Sequence, residues 1–450
     1  MSHTNASLTA RGLAEQLYRA AVMGGDPYVA THRALQGASL GARPWIFAAG
    51  KAAIPMARGA LDALAAHQRT PLGGLAIAAE QEVKADPLQV VVGDHPVPGE
   101  GSQRAADAIA SWLPLVQPGD DVIVLISGGA SSLMAAPVDG LSPAAMLDLF
   151  HGLHRAGAPI AVMNAFRKRV MRWGAGRLAM ALSRARVTCL IASDVIGDDP
   201  AAIASGPCSG DPLTAADLVA LAQRERLWGA IPDEVRQLLD RVLAGQAPET
   251  PKPGLPALDR VVPRIILGNR DALDAVVRAA GEWSLPVRVA PTPITGSAAS
   301  LGRAIAEAAV DARRSLAPRT LAAGSLSVPC RLLLAWGGET TVAMAGGAHG
   351  VGGRAQELAL AAAAALHERG AEGRGITILS AGTDGRDGPT DAAGAIVDGR
   401  TWVRVALAGL DPARALSGHD AYPALDAAGA LLRTGMTGTN VNDVVLALID

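Results

Sequence analysis

Lysine is almost missing from this 450-residue chain: of its 40 basic residues, only Lys51, Lys84, Lys168 and Lys252 are lysines. Arginine therefore fills most positions where any cation would serve. A lysine kept in an apolar, Gly-rich stretch marks a place that needs a compact point charge. Aromatic residues are also scarce, at 3%, so the cores must be built from Ala, Leu, Val and Ile. The three cysteines, Cys189, Cys208 and Cys330, are widely spaced with no CxxC pair. That pattern indicates neither a disulfide framework nor a zinc site and points to a reducing, cytoplasmic setting. Neither sign of charge dominates, the formal net charge being −2, so there is no basic footprint and no nucleic-acid partner is expected. No run of about 18 apolar residues free of charge occurs, and the first twenty residues hold no apolar signal core, so no membrane partner is expected either. The chain also lacks a GxxxxGK[ST] phosphate loop, a GxGxxG with a later acidic residue, EF-hand spacing and any internal repeat.

Half of the residues are hydrophobic, which is ample for burial, and the length exceeds one core, so two domains are expected. The Pro-rich stretch AGQAPETPKPGLPAL at 244–258 carries no apolar period and reads as a connector, dividing the chain into 1–250 and 251–450. On both sides a short apolar strand, a small polar loop and a helix recur, which argues an α/β architecture of mostly parallel strands.

In such sheets the loops leaving the carboxyl ends of strands line the ligand crevice, and here those loops hold the candidate site residues. PWIFAA at 44–49 delivers Gly50 and Lys51 to a helix start, where amide groups also favour an anion. DVIVLI at 121–126 delivers Ser127, Gly128, Gly129, Ala130, Ser131 and Ser132, a set of amide and hydroxyl donors suited to a phosphate or a carboxylate. VTCLIA at 187–192 leads to Asp194, placed to take a proton from a substrate hydroxyl. RIIL at 264–267 ends near Asn269, and the strand Leu332 to Trp336 leads to Gly337, Gly338 and Glu339. A glycine loop at 346–353 ends on Arg354, which enters an Ala-rich helix and can clamp a carboxylate or phosphate through two parallel bonds.

The densest stretch is ITILSAGTDGRDGPTDAAGAIVD at 376–398. A buried strand breaks into a loop with Asp384, Asp387 and Asp391 inside eight residues. A solvated turn is one reading; a cation or a polyhydroxy ligand is the other, and Mg²⁺ completed by phosphate oxygens and water suits one or two such carboxylates. His95, between a short acid and two prolines, is open between a site role and a structural one, and the helical pair His151 and His154 read as surface or packing residues. Arg167, Lys168, Arg169 and Arg172 form a basic run, either a solvated face or a local source of positive charge.

GDHPVP at 93–98, LISGGASSL at 125–133, SDVIGDDPAAIASGP at 193–207, GGETTV at 337–342, GGRAQELAL at 352–360 and SAGTDGRDGPTDAAGA at 380–395 together resemble the class II glycerate kinases. The resemblance runs nearly end to end. It implies an N-terminal Rossmann-like domain with a mostly parallel sheet, a C-terminal MOFRL-type α/β domain and an interdomain cleft. It further implies ATP-dependent, Mg²⁺-assisted phosphorylation of D-glycerate at the 2-hydroxyl, with both substrates small molecules and a homodimer left open. Residue by residue, the family's functional Lys, SD-motif Asp, GGR-motif Arg and GTDG-motif Asp fall at Lys51, Asp194, Arg354 and Asp384, the last also a metal candidate. Ser127, Gly128, Gly129, Ser131, Ser132, Asn269, Glu339 and Asp387 complete the expected binding set. The chain departs from the family at Ala355, commonly asparagine. Two other readings stand beside this one: an NAD(P)H-dependent hydroxypyruvate reductase, against which the missing GxGxxG speaks, and a non-catalytic binder of sugar acids or sugar phosphates.

Overall fold

A computed structural model describes residues 9–41, 43–79, 85–316, 330–343 and 350–450. The chain forms two compact units, Pro27–Leu267 and a second one that joins the residues up to Asp26 to Gly268–Asp450. The division expected at 250/251 therefore falls later, and for a physical reason. The Pro-rich stretch is tied into the first unit: the Asp211 amide donates to the Pro251 carbonyl at 2.8 Å, and Thr250 Oγ1 donates to Asp211 at 3.1 Å. The chain then adds one more strand to that unit's sheet before leaving it.

The Pro27–Leu267 unit is built on six strands: β1 (Trp45–Ala49), β2 (Gly73–Ala78), β3 (Gln89–Val92), β4 (Asp121–Ser127), β5 (Arg186–Ala192) and β6 (Arg264–Leu267). They pair in the order β3-β2-β1-β4-β5-β6, every neighbour parallel. β4 is buried at all seven positions, as expected for an apolar run covered on both faces. This is the order of a doubly wound sheet, in which the direction of winding reverses between β1 and β4 and the loops leaving those two strands frame a crevice.

The second unit holds β7 (Val287–Val289), β8 (Ile294–Ser297), β9 (Leu332–Thr341), β10 (Ile376–Gly382), β11 (Gly394–Asp398), β12 (Leu431–Leu432) and β13 (Asp443–Ile449). Their order is β12-β11-β10-β13-β9-β7, with β8 also on β9. The expectation of mostly parallel strands fails here: β10 pairs antiparallel with both β11 and β13, and β13 antiparallel with β9. The Asp-rich loop folds β11 straight back on β10, and no crossover helix intervenes. β9 also runs on past Trp336, where the strand was expected to end, through Gly337, Gly338 and Glu339. The glycine loop expected from 346 lies, at 344–349, outside the described residues.

Scarce aromatics have a structural counterpart in the helix Arg354–Glu368, whose residues Ala355 to Leu366 are all buried. Its small side chains allow the helix Ala298–Arg314 to approach so closely that a methyl group on Gly302 would overlap the Leu358 carbonyl. The opening helix Ala10–Gly24 belongs to this unit through buried Leu13, Leu17, Tyr18 and Ala21, the Tyr18 hydroxyl donating to the Gly382 carbonyl at 2.7 Å. Among the described residues no helix is long and apolar enough to cross a membrane.

Candidate active site

In the Pro27–Leu267 unit the winding reversal is where the candidates gather. The Lys51 amide donates to the Gly128 carbonyl at 2.9 Å and the Ala52 amide to Ser127 Oγ at 3.0 Å, which locks the loop after β1 to the loop after β4. Gly50, at φ +126°, passes so near Ser127 that no side chain fits. Gly128 faces Asp194 in the same way. A methyl group on Gly129, at φ +83°, would sit 3.0 Å from Lys51 Cγ and 3.3 Å from His95 Cδ2. Two glycines thus let a lysine, a histidine and an aspartate close around one bend of the backbone.

The electrostatics follow from burial and from Lys51. Desolvation raises the Asp194 pKa above the usual carboxylate range, against the pull of the Lys51 charge. Desolvation lowers that of His95, and Lys51 lowers it further, so at neutral pH the imidazole is a neutral donor and acceptor. Of the expected serines, buried Ser127 serves as the tie just described, Ser131 shares a hydrogen bond with Ser205 at 2.9 Å, and Ser132 lines a cavity beyond the bend.

In the second unit, Arg354 meets a partner that the sequence reading missed. Its Nε and Nη2 donate to the two carboxylate oxygens of Asp443 at 2.7 and 2.9 Å, and Nη1 lies 2.9 Å from Glu339. The antiparallel register makes this possible, since Asp443, the first residue of β13, stands opposite Gly382 of β10 and Gly338 of β9. Burial pulls the guanidinium pKa down, but the Asp443 bonds and the Glu339 charge carry it well above its usual value. Asp443 is itself 3% exposed. Burial raises its pKa, the Arg354 bonds oppose that, and the Asp384 charge adds to it. Asp384, at the end of β10, folds over its own loop and accepts from the Arg386 amide at 3.0 Å.

The other expected ligands in this unit have internal duties. Both Asp387 oxygens accept from the amides that open the helix Arg354–Glu368, Ala355 at 3.1 Å and Gln356 at 2.8 Å. Burial pushes this carboxyl up to about 7 against those amides. It caps the helix that presents Arg354. Asp391 pairs with Arg433 and Tyr422 at the surface. The three loop carboxylates therefore do not converge on one ion, and among the described residues no group of three His, Cys, Asp or Glu is arranged to hold a metal. Asn269 donates to the Val441 and Asp443 carbonyls at 2.7 and 3.0 Å, holding the start of β13. Asp443 could have been suspected from an acid opening the apolar run DVVLALI, but its partners depend on strand register, which no local pattern reveals.

A family model described as a domain of unknown function (DUF4147) matches residues 13–240, and one described as the MOFRL family matches 332–443. The glycerate 2-kinase of Pyrococcus horikoshii is 35% identical over 408 residues, 90% of this chain and 87% of that protein. The D-glycerate 2-kinase of Thermotoga maritima is 35% identical over 406 residues, 90% of each. A provisionally named hydroxypyruvate reductase of Agrobacterium vitis is 37% identical over 443 residues, 98% of this chain and 95% of that one. The crystal structure of the Thermotoga maritima glycerate kinase matches with a TM-score of 0.82 at 33% identity, covering 97% of this chain and 99% of that one.

Proposed function

The chain belongs to the class II glycerate kinase family, and from that premise we propose that it transfers the terminal phosphoryl group of ATP to the 2-hydroxyl of D-glycerate, giving 2-phosphoglycerate and ADP. The observation that carries the reading is the closure of Lys51 and Asp194 around the Gly128–Gly129 bend at the winding reversal of a parallel sheet.

Phosphoryl transfer asks a protein for position and charge rather than covalent chemistry. Asp194, half-buried and raised in pKa, takes the proton of the attacking hydroxyl as its oxygen bonds to phosphorus and the bond to the ADP oxygen breaks. Lys51 faces the non-bridging phosphoryl oxygens and offsets their negative charge. Arg354 has three of its five N–H groups engaged by Asp443 and Glu339, and the remaining two are the donors offered to the glycerate carboxylate. Asp384 provides a hard oxygen ligand of the kind Mg²⁺ prefers, and would hold the ion together with nucleotide phosphate oxygens and water. When bound, Mg²⁺ would neutralise charge on those phosphates.

Phosphorus NMR of the product formed from D-glycerate, ATP and Mg²⁺ tests the proposal, with a phosphomonoester on carbon 2 expected. A parallel incubation with hydroxypyruvate and NADH covers the reductase reading. NADH oxidation with no ADP formed from glycerate would overturn the kinase assignment, and a phosphate on carbon 3 would correct the position.

A further inference from the structure

Beyond Ser132 the phosphate-type bend opens into a cavity of about 150 Å³. The helices Pro143–Arg155 and Ile160–Val170 supply Leu147, Phe150, Met163 and Arg167 to its walls, with His151 and His154 at one side. Pro96, Val97 and Pro98 close it from the loop that carries His95, and Val97 is held 58% exposed. This places an aromatic ring and thioethers next to the serines that end the bend.

Of the basic run, Arg167 is the member that lines the cavity. Arg169 is paired with Asp211 and Glu249, Arg172 with Asp107, and Arg177 with four carbonyl oxygens. Arg167 lies over the Phe150 ring, 5.3 Å from its centroid, and among the described residues no carboxylate pairs with it. Burial lowers its pKa. A half-buried cation held against a ring face keeps its N–H groups for an acceptor from outside.

The walls select among possible occupants. Glycerate carries oxygen on every carbon, and Leu, Phe and Met surfaces would strip its water without replacing the hydrogen bonds. A planar heterocycle gains from the ring and sulfur contacts. The volume falls below the roughly 300–1,000 Å³ of pockets that enclose a whole drug-sized ligand, and it suits one ring system whose remainder extends outward. Phosphates lying on the bend beside Lys51 would extend from that opening.

We infer that this cavity is the subsite for the nucleobase of the phosphoryl donor, with Phe150 and Met163 against the ring and Arg167 donating to an acceptor on it. The inference rests on the phosphoryl-transfer reading above and assigns the Ser127–Ser132 bend to the nucleotide rather than to the acid.

The test compares wild type, Arg167→Ala and Phe150→Ala by steady-state kinetics and by calorimetric titration with ADP, after circular dichroism confirms folding. Each substitution is expected to raise KM for ATP and Kd for ADP by about tenfold or more, with KM for glycerate within twofold. Adenosine should inhibit wild type competitively against ATP and lose its effect in Phe150→Ala, while inhibition by pyrophosphate persists. Raised KM for glycerate with unchanged ADP affinity would overturn the inference and give the cavity to the acid. Unchanged constants in both variants would also overturn it. Should Phe150→Ala not fold, Arg167→Ala alone decides through the same constants. A wild type that binds ADP in a Phe150-dependent way yet phosphorylates no glycerate would leave this subsite standing and remove the reaction proposed for it.

Discussion

Gly128 and Asp194 stand so close that a methyl group on the glycine would overlap the aspartate carboxylate. The residue proposed as base and the bend proposed to seat phosphate are thus one packed object. Gly128→Ala should displace Asp194 and lower kcat by at least about 10²-fold, the scale on which misplacing a catalytic group by an ångström acts. Full kcat in a folded Gly128→Ala protein would separate the two.

Asp194→Asn should lose turnover by about 10³-fold and yet melt higher than wild type. The folded pKa is raised above the unfolded one by burial. The protonated form's stabilising contribution is therefore present below about pH 4 and is lost as pH rises through the raised value. The neutral amide avoids that loss, so the gap in Tm between variant and wild type should widen from pH 4 upward. A gap that narrows with pH contradicts the assignment.

Lys51 is exposed. Lys51→Ala should therefore leave Tm within a degree or two while kcat drops by roughly 10² or more. Retained turnover would take Lys51 out of the mechanism.

Arg354 carries both structure and chemistry, and two substitutions distinguish them. Arg354→Ala strands the buried Asp443 charge and should cost about 3 kcal/mol in urea unfolding. Arg354→Lys keeps a charge but loses the two-pronged bond, so it should recover much of that stability while kcat/KM for glycerate stays down by about 10²-fold. If lysine restores both equally, Arg354 is only a partner for Asp443.

Chelation by EDTA should stop turnover without moving Tm, because the described residues hold no three-ligand cluster whose loss would loosen the fold. A Tm that falls on chelation would reveal a resident ion.

Much of this site was legible along the chain because its first half obeys local rules. An apolar run followed by Gly, Ser or Asp marks the carboxyl end of a parallel strand, and Lys51, Ser127 and Asp194 are all found there. The second unit is less legible because its contacts depend on register. Asp443 meets Arg354 only because β13 lies between β9 and β10, and nothing within DVVLALI encodes those neighbours. Asp387 and Asn269 look like ligands by residue type, but their partners are backbone groups brought in by distant segments. The cavity at Phe150 was hidden for a related reason: its walls come from four separate stretches, and His151, His154 and Arg167 each look like ordinary surface when read alone.

The helix Ala10–Gly24 packs with the helix Asn269–Glu282 and with β13, which lies inside its sheet rather than at an edge. During synthesis the stretch 27–267 leaves the ribosome whole and can collapse on its own. Residues 10–24, made before it, wait about 250 additions for the helix Asn269–Glu282, their principal neighbour, and longer for β13. Their apolar stripe is uncovered in the meantime, so a chain released before Asn269 would carry one complete unit and a first helix without its principal partner.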